Sequence, residues 1–518
     1  MASFSIPLTG LTADSTALNT IANDLSNMST TGFKAQNTAF SDLLYQQIGT
    51  AGSGDEIQVG SGVKVAANNT DFSTGSISST NVSSNVAIDG SGFFVLDNGG
   101  SQLLTRNGDF QLSANGTLET TSGLAVMGYP AVNGVVNTGA PLTDLVIPTG
   151  QAMAPAATSS FSMTQNLDSS DAVGATATGS LQVYDSLGNS YEATVTYTKT
   201  GTNAWSYNIT VPETLNGSTN TVGGVTTATY TFGASGGVLA TVDPSTNLTI
   251  TGPTAGGGTA TIAAPVVTAG EALGTAGPPA TGYVAALQNA ITAAGIVGVN
   301  VAATAGGQLT ITGTNISTTG NVVQDPIASA SAAGALTFNA NGNLNSPATN
   351  ISGITFAGFS DGAAPLNLTW NLYGANGTSN ISQTASTSST SSTNQNGYAP
   401  GNYQSFNIGA DGTISVSYSN GQNLNVGQVA IATVSNEQGL VDLGSTEYAT
   451  SSASGAATVG VAGTGGRGAL EGSSLEASNV NISTEFSDLI VAQRAFEANA
   501  KSVTTFDQVT QDAINMVH

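Results

Sequence analysis

The chain has 518 residues, a formal net charge of −24 and charged side chains at only 7% of its positions, against roughly a quarter in an ordinary globular domain. It carries 7 Lys+Arg, with none between Lys199 and Arg467, so it lacks the clustered cations that nucleic-acid phosphates and anionic membrane surfaces attract. It contains no cysteine, which excludes disulfides and thiolate metal sites and suits an oxidising exterior.

The N-terminus has no basic segment ahead of an apolar one, and its first positive side chain is Lys34. No cleavable secretory signal is visible, so if the protein leaves the cell it must use a route that removes no such peptide. Phe4, Leu11, Leu18 and Leu25 are spaced by seven, and Leu8, Ile21 and Met28 fill the same face. That period predicts a helix with one apolar stripe, stopping at Thr30-Thr31-Gly32.

The middle of the chain is predicted to be β. Asn-Gly or Asp-Gly steps occur at Asp89-Gly90, Asn107-Gly108, Asn115-Gly116, Asn341-Gly342, Asp411-Gly412 and Asn420-Gly421, and such steps favour the turns that join antiparallel strands. Val183-Tyr184, Tyr191 to Tyr197 and Trp205 to Val211 predict one sheet; Ile414, Val416 and Tyr418, then Leu424 and Val426, predict a hairpin about Asn420-Gly421. Between about 213 and 335 the chain is richer still in Ala, Gly and Thr, interrupted by an amphipathic helix through Tyr283, Val284, Leu287 and Ile291. Residues 382–396, almost all Ser, Thr, Asn, Gln and Ala, read as a linker or loop. Hydrophobic residues still make up 39% of the chain, enough to fill cores, but no apolar run reaches the ~18 residues of a membrane span.

The C-terminus repeats the heptad in Leu475, Ile482, Leu489, Phe496 and Val503, joined by Phe486, Ala500, Ile514 and Val517. Asn481 or Ser483 is positioned to cap this second helix, and Glu497 stands four residues before Lys501. A one-stripe helix at a chain end must bury that stripe on its own domain, on the other terminal helix or on another copy. Isolated short helices are marginal in water, so residues 1–30 and 485–518 are expected to order on assembly.

Catalytic chemistry finds little support. The only histidine is His518, and zinc has neither thiolate nor a second His. Gly463, Gly465 and Gly468 match a dinucleotide fingerprint by spacing, but among 65 glycines that spacing carries no weight. Asp55, Glu56, Asp168, Asp185 and Asp361 sit in turn-like contexts, where capping a turn is the commoner use of a carboxylate. The residues predict neither cofactor nor metal, and no enzyme.

The terminal motifs are more specific. Ala22-Asn23-Asp24-Leu25-Ser26-Asn27 and Thr31-Gly32-Phe33-Lys34 resemble the N-terminal signature of the flagellar rod and hook protein family, continued by Gly60 to Lys64 and Asp71 to Gly75. Val86 to Phe94, with Gly92, Phe93 and Phe94, and Arg106 to Phe110 are similar to that family's inner β domain, followed by Gly128-Tyr129-Pro130. Leu475 to Val480 and Gln493-Arg494-Ala495-Phe496, continuing to Asn499 and Lys501, resemble its C-terminal block. Asp24 and Ser26 stand where the family more usually has Asn and Ala. The resemblance spans residues 1–145 and 400–518.

The long middle places the chain with the hook members of that family, since rod members are much shorter. The resemblance implies a multidomain, mainly β protein with a terminal α-helical module. Its discontinuous β domains are nested, formed as the chain goes out and returns, and its N- and C-terminal helices pair as a coiled-coil-like inner domain. The expected divisions are 1–70 plus 468–518, 71–147 plus 398–467, 148–212 plus 336–397, and an inserted module at 213–335. It implies a homopolymer: a curved, flexible tube acting as a universal joint between rod and filament. The implied partners are distal rod protein, hook cap, hook–filament junction proteins and the export apparatus, with neither nucleic acid nor membrane insertion. Subunit contacts are expected on the two apolar stripes. A distal rod protein, or a secreted surface-layer protein or adhesin, remains the alternative.

Overall fold

The computed structural model describes residues 5–516 apart from 51–55, 212, 217, 223–224, 233, 236–237, 240, 243–245, 266–270, 275–281, 305–306, 326, 329–332 and 358. Phe4, Val517 and His518 lie outside the described residues. The chain forms two compact units, residues 1–152 with 402–518, and residues 153–401. Among the described residues the α-helices are α1 (Ser5–Ser26), α2 (Gly282–Ala293) and α3 (Ile482–Asn515), and the other elements are strands apart from one short 3-10 turn. The fold is mainly β, with a helix at each end of the chain.

In the first unit α1 runs into an antiparallel arm, where Gln36–Asp42 pairs with Val63–Thr70 and Gln46–Thr50 with Glu56–Val59. Beyond the arm the outgoing and returning parts of the chain pair with each other. Ile77–Ser79 lies against Ser474–Glu476, and Val86–Asp89 against Ala469–Gly472. Phe93–Asn98 lies against Asn423–Thr433, with Phe94 opposite Ile431. The predicted hairpin is present, Val416 facing Leu424, and Gly421 takes the positive φ of +76° that its tight turn requires. Phe93, Val95, Leu104, Ala432 and Tyr448 fill one core of this unit. Phe72 stands edge-on to both Phe93 and Tyr448 at 5.5 Å.

The second unit contains two sheets that share a core. One runs through Ile351–Ala357, Leu366–Trp370, Ser160–Asp168 and Ile381–Thr384; the other through Thr176–Tyr184, Ser190–Gly201, Ala204–Thr210 and Ala333–Phe338. Alternate residues point inward, so Phe161, Met163, Val195, Tyr197, Trp205, Ile209, Leu336, Phe356 and Trp370 are buried together. The same unit holds a second core about α2, where Tyr283, Val284, Leu287 and Ile291 pack with Tyr230, Ile250, Leu309 and Ile311.

Two expectations are corrected here. Residues 382–396 are not a linker: Ser389–Gln395 is a strand paired antiparallel with Ser160–Asp168, from Phe161 opposite Gln395 to Asn166 opposite Ser389. Its polar side chains carry no burial signal, and the partner strand's backbone supplies the order. Leu475 keeps the heptad spacing but lies in strand Ser474–Glu476, because α3 begins only after Asn481. No helix of the described residues is long and apolar enough to cross a membrane.

Candidate assembly interface

Four threonines of α1 turn their hydroxyls onto its own backbone, Thr9 to the Ile6 carbonyl and Thr12, Thr16 and Thr20 each to the carbonyl four residues back. The face that α1 buries is built of small residues: Gly10, Ala13, Ala17, Thr20 and Asp24, at the three- and four-residue steps of one helix side. It packs against α3. A Cβ at Gly10 would lie 2.6 Å from the Asn499 side chain, and Asn499 Nδ2 donates to Asp14 at 2.8 Å. Close approach through small residues joins the two ends of the chain.

The large apolar side chains stand beside that contact. Leu11, Leu18, Ile21 and Leu25 are half-buried, whereas Leu8 is 58% and Met28 45% exposed. On α3, Leu489 and Val503 are half-buried, while Ile482, Phe486 (53%), Phe496 (37%) and Ile514 face solvent. Exposed Ile490, Val491 and Val509 widen the apolar surface. Asn481 caps α3, its Oδ1 accepting from the amides of Ser483 and Thr484 at 3.0 and 3.3 Å. Glu497 pairs not with Lys501 but with Arg494, at 3.3 Å on the exposed surface.

Several motif residues meet where the chain ends join the sheet of the first unit. Lys34 Nζ lies 2.6 Å from Glu476 Oε1 and Arg106 Nη2 lies 3.2 Å from Glu476 Oε2, with all three side chains buried. Arg106 also donates to the carbonyls of Gly90 and Gly92, at 2.8 and 2.7 Å, and Lys34 to that of Ser73 at 2.6 Å. Burial, then the charge of Arg106, lowers the Lys34 pKa, against the pull of Glu476. Gly32 has φ +69° and sits where a Cβ would lie 2.7 Å from the Asn107 nitrogen; its amide donates to the Glu476 carbonyl at 2.9 Å. Phe93 and Phe94 are core residues, Phe94 edge-on to Phe110 at 5.0 Å, and Phe33 is half-buried.

Other motif residues lie apart from this cluster. Asn27 donates to the Asn23 carbonyl at 3.0 Å, tying off the end of α1. Gln493 and Arg494 are exposed, and Ala495 is half-buried. Sequence reasoning missed Glu476 and Asn479 as partners. Asn479 accepts from the Ala35 amide and donates to the Asp71 carbonyl, both at 2.8 Å. The available signal was chemical: two buried cations require a buried anion.

A groove of about 310 Å³ lies between α1, α3 and strand Gln36–Asp42, lined among others by Asp14, Ile21, Phe40, Glu485, Asp488 and Val491. Asp24 is fully buried; its Oδ2 accepts from the Gln36 amide at 2.9 Å and its Oδ1 has no donor among the described residues. Burial raises the Asp24 pKa against that amide, and burial followed by the charges of Asp24 and Asp488 raises that of Glu485. The folded state thus holds these protons more tightly than the unfolded chain. The stability they contribute is fully present below the ordinary carboxylate range and is lost as pH rises through the raised values. After correction for intrinsic rates, amide exchange of residues 5–26 is expected to slow on acidification toward that range, and to slow less in Asp24→Asn. Equal slowing in both chains would refute this origin.

Comparison with known proteins places this arrangement. The flagellar hook protein FlgE of Salmonella typhimurium is 31% identical over 99% of this chain and 100% of its own length. The chain belongs to the flagellar hook protein FlgE family. Relatives named flagellar hook protein FlgE include that of Escherichia coli, 30% identical over 99% of both chains, and that of Treponema pallidum, 29% identical over 98% of both. Four family profiles match along the chain. Flagella basal body rod protein covers residues 7–34, and Flagellar hook protein FlgE/F/G D1 domain covers 87–166. Flagellar basal body protein FlaE D2 domain covers 149–305 and 303–398, and Flagellar basal body rod FlgEFG protein C-terminal covers 471–516. The crystal structure of the Helicobacter pylori flagellar hook protein FlgE2 aligns with 77% of this chain and 100% of its own, at 13% identity and a TM-score of 0.37. Family membership makes this chain a structural protein of the flagellum.

Proposed function

We propose that many copies of this chain assemble into a curved hollow tube that links the rod to the filament and carries motor torque through a bend. The observation that carries this reading is the pairing of α1 with α3 at the two chain ends, with Leu8, Phe486, Phe496 and Ile514 left in solvent. Further copies would cover those side chains, each worth roughly 1.5–3 kcal/mol on full burial. Subunit contacts are assigned to Phe4, Leu8, Leu11, Leu18, Ile21, Leu25 and Met28, and to Ile482, Phe486, Leu489, Phe496, Val503, Ile514 and Val517. Residues 1–70 and 468–518 would line the tube, with 71–147 plus 398–467, 148–212 plus 336–397, and 213–335 in successively outer layers. Outer faces rich in Ser, Thr, Asn and Gly suit neighbours that must slide, since their contacts are weak and few ion pairs fix one register.

On this reading the chain leaves the cell without a cleaved signal through the flagellar export apparatus, performs no catalysis, and meets distal rod protein, hook cap and hook–filament junction proteins. Electron microscopy of the purified chain under polymerising conditions tests it. Short curved tubes are expected; straight rods would favour a rod protein, and flat sheets a surface layer. Hydrogen exchange on the same samples is expected to protect residues 5–30 and 485–516 strongly in the polymer and weakly in the monomer. Strong protection in a verified monomer would overturn ordering on assembly.

A further inference from the structure

We infer that the groove between α1, α3 and strand Gln36–Asp42 is a socket for the Arg494 side chain of a second copy of this chain, so that neighbours join head to tail through α3. This rests on the assembly reading above and assigns one contact within it.

The socket lacks a cation. Glu485 lines it at 9% exposure, and its carboxylate accepts no hydrogen bond from a described residue. Asp488 lines the same groove, and the donorless Oδ1 of Asp24 is buried close enough for its charge to act on Glu485. None of these acids forms an ion pair among the described residues. Asp488 is exposed, but Asp24 and Glu485 are buried, and buried carboxylates with no cation beside them repel one another and lack compensation. A metal ion does not supply it: no three His, Cys, Asp or Glu among the described residues are placed to hold one.

The choice of cation is narrow, because the chain has 7 Lys+Arg. Lys34, Arg106 and Lys199 are buried, and Arg467 is half-buried and donates to the Val461 carbonyl and the Thr464 hydroxyl. That leaves Lys64, Arg494 and Lys501 exposed. Arg494 is the best fitted of these. Its fork of donors matches a carboxylate and its aliphatic stem can lie along Ile21, Phe40 and Val491. Its bond to Glu497 is solvent-exposed and easily exchanged. Arg494 follows Glu485 by nine residues, about two and a half turns, and so stands on the opposite side of α3. Lys501, seven residues further on, stays on that side. Arg494 therefore cannot pair with Glu485 of its own subunit. A knob and a socket formed by different residues of one subunit can make a heterologous contact, which propagates into an open helical polymer instead of closing a dimer.

Charge exchange tests the contact. Arg494→Glu and Asp488→Arg are each expected to raise the concentration needed for tube growth by roughly tenfold or more. Their equimolar mixture, and the chain carrying both changes, are expected to polymerise near the wild-type concentration, because each restores opposite charges across the contact. Unchanged monomer circular dichroism excludes misfolding as the cause of a single variant's defect. The inference is overturned if Arg494→Glu polymerises like wild type, if neither mixture nor double variant recovers, or if Lys64→Glu alone reproduces the defect. Wild-type tubes with charge-insensitive growth would sink this contact and leave the hook reading intact; absence of wild-type tubes would sink both.

Discussion

Replacing Glu476 by Gln is expected to destabilise the unit formed by residues 1–152 and 402–518 by about 3–5 kcal/mol, the cost of leaving buried charges without their partner. Lys34 and Arg106 keep their carbonyl acceptors but lose the anion that compensates both, and neither can reach water from its position. The two tryptophans make the measurement selective, since Trp205 and Trp370 both lie in the other unit. Tryptophan fluorescence should unfold at an unchanged denaturant midpoint, while exchange at the inner sheet strand Phe93–Asn98 accelerates. Replacing all three charged residues together by apolar ones of similar volume is expected to recover most of the loss. A change below about 1 kcal/mol for Glu476→Gln would mean that water reaches the cluster.

Phe496→Asp is expected to abolish polymerisation and leave the monomer folded. Phe496 is 37% exposed on α3, so a covering subunit forfeits the burial of that remaining surface, about a third of the roughly 1.5–3 kcal/mol of a whole side chain, and must also desolvate a carboxylate at a cost of several kcal/mol. Every subunit in a helical polymer repeats that loss. The concentration needed for growth should rise by about two orders of magnitude or more. Leu18→Asp, on the half-buried flank of α1, should have the same effect on growth. Sedimentation and electron microscopy read the outcome. Tubes of normal length from either variant would refute the stripe assignment.

The helices were legible because a seven-residue apolar spacing survives whatever the rest of the chain does, and the Asn420-Gly421 hairpin because its turn chemistry is local. The buried face of α1 was not, since Gly10, Ala13, Ala17 and Asp24 carry little hydrophobic weight and are chosen by their fit to α3. Leu475 shows the converse failure: it keeps phase with the heptad but belongs to a strand, because the Asn481 cap starts the helix after it. Ser389–Gln395 was opaque because its order comes from a partner strand more than two hundred residues earlier. The letters of Lys34 and Arg106 stood out, but their shared anion did not, because 442 positions separate Lys34 from Glu476.

That separation also orders events in time. While the polypeptide is being made, Lys34 and Arg106 have no counter-ion until Glu476 emerges. Within 153–401 the wait is shorter, since Ser160–Asp168 finds its last partner strand at Ser389–Gln395, well before Glu476. The buried charge cluster of the first unit therefore stays unlatched until nearly all of the chain is present.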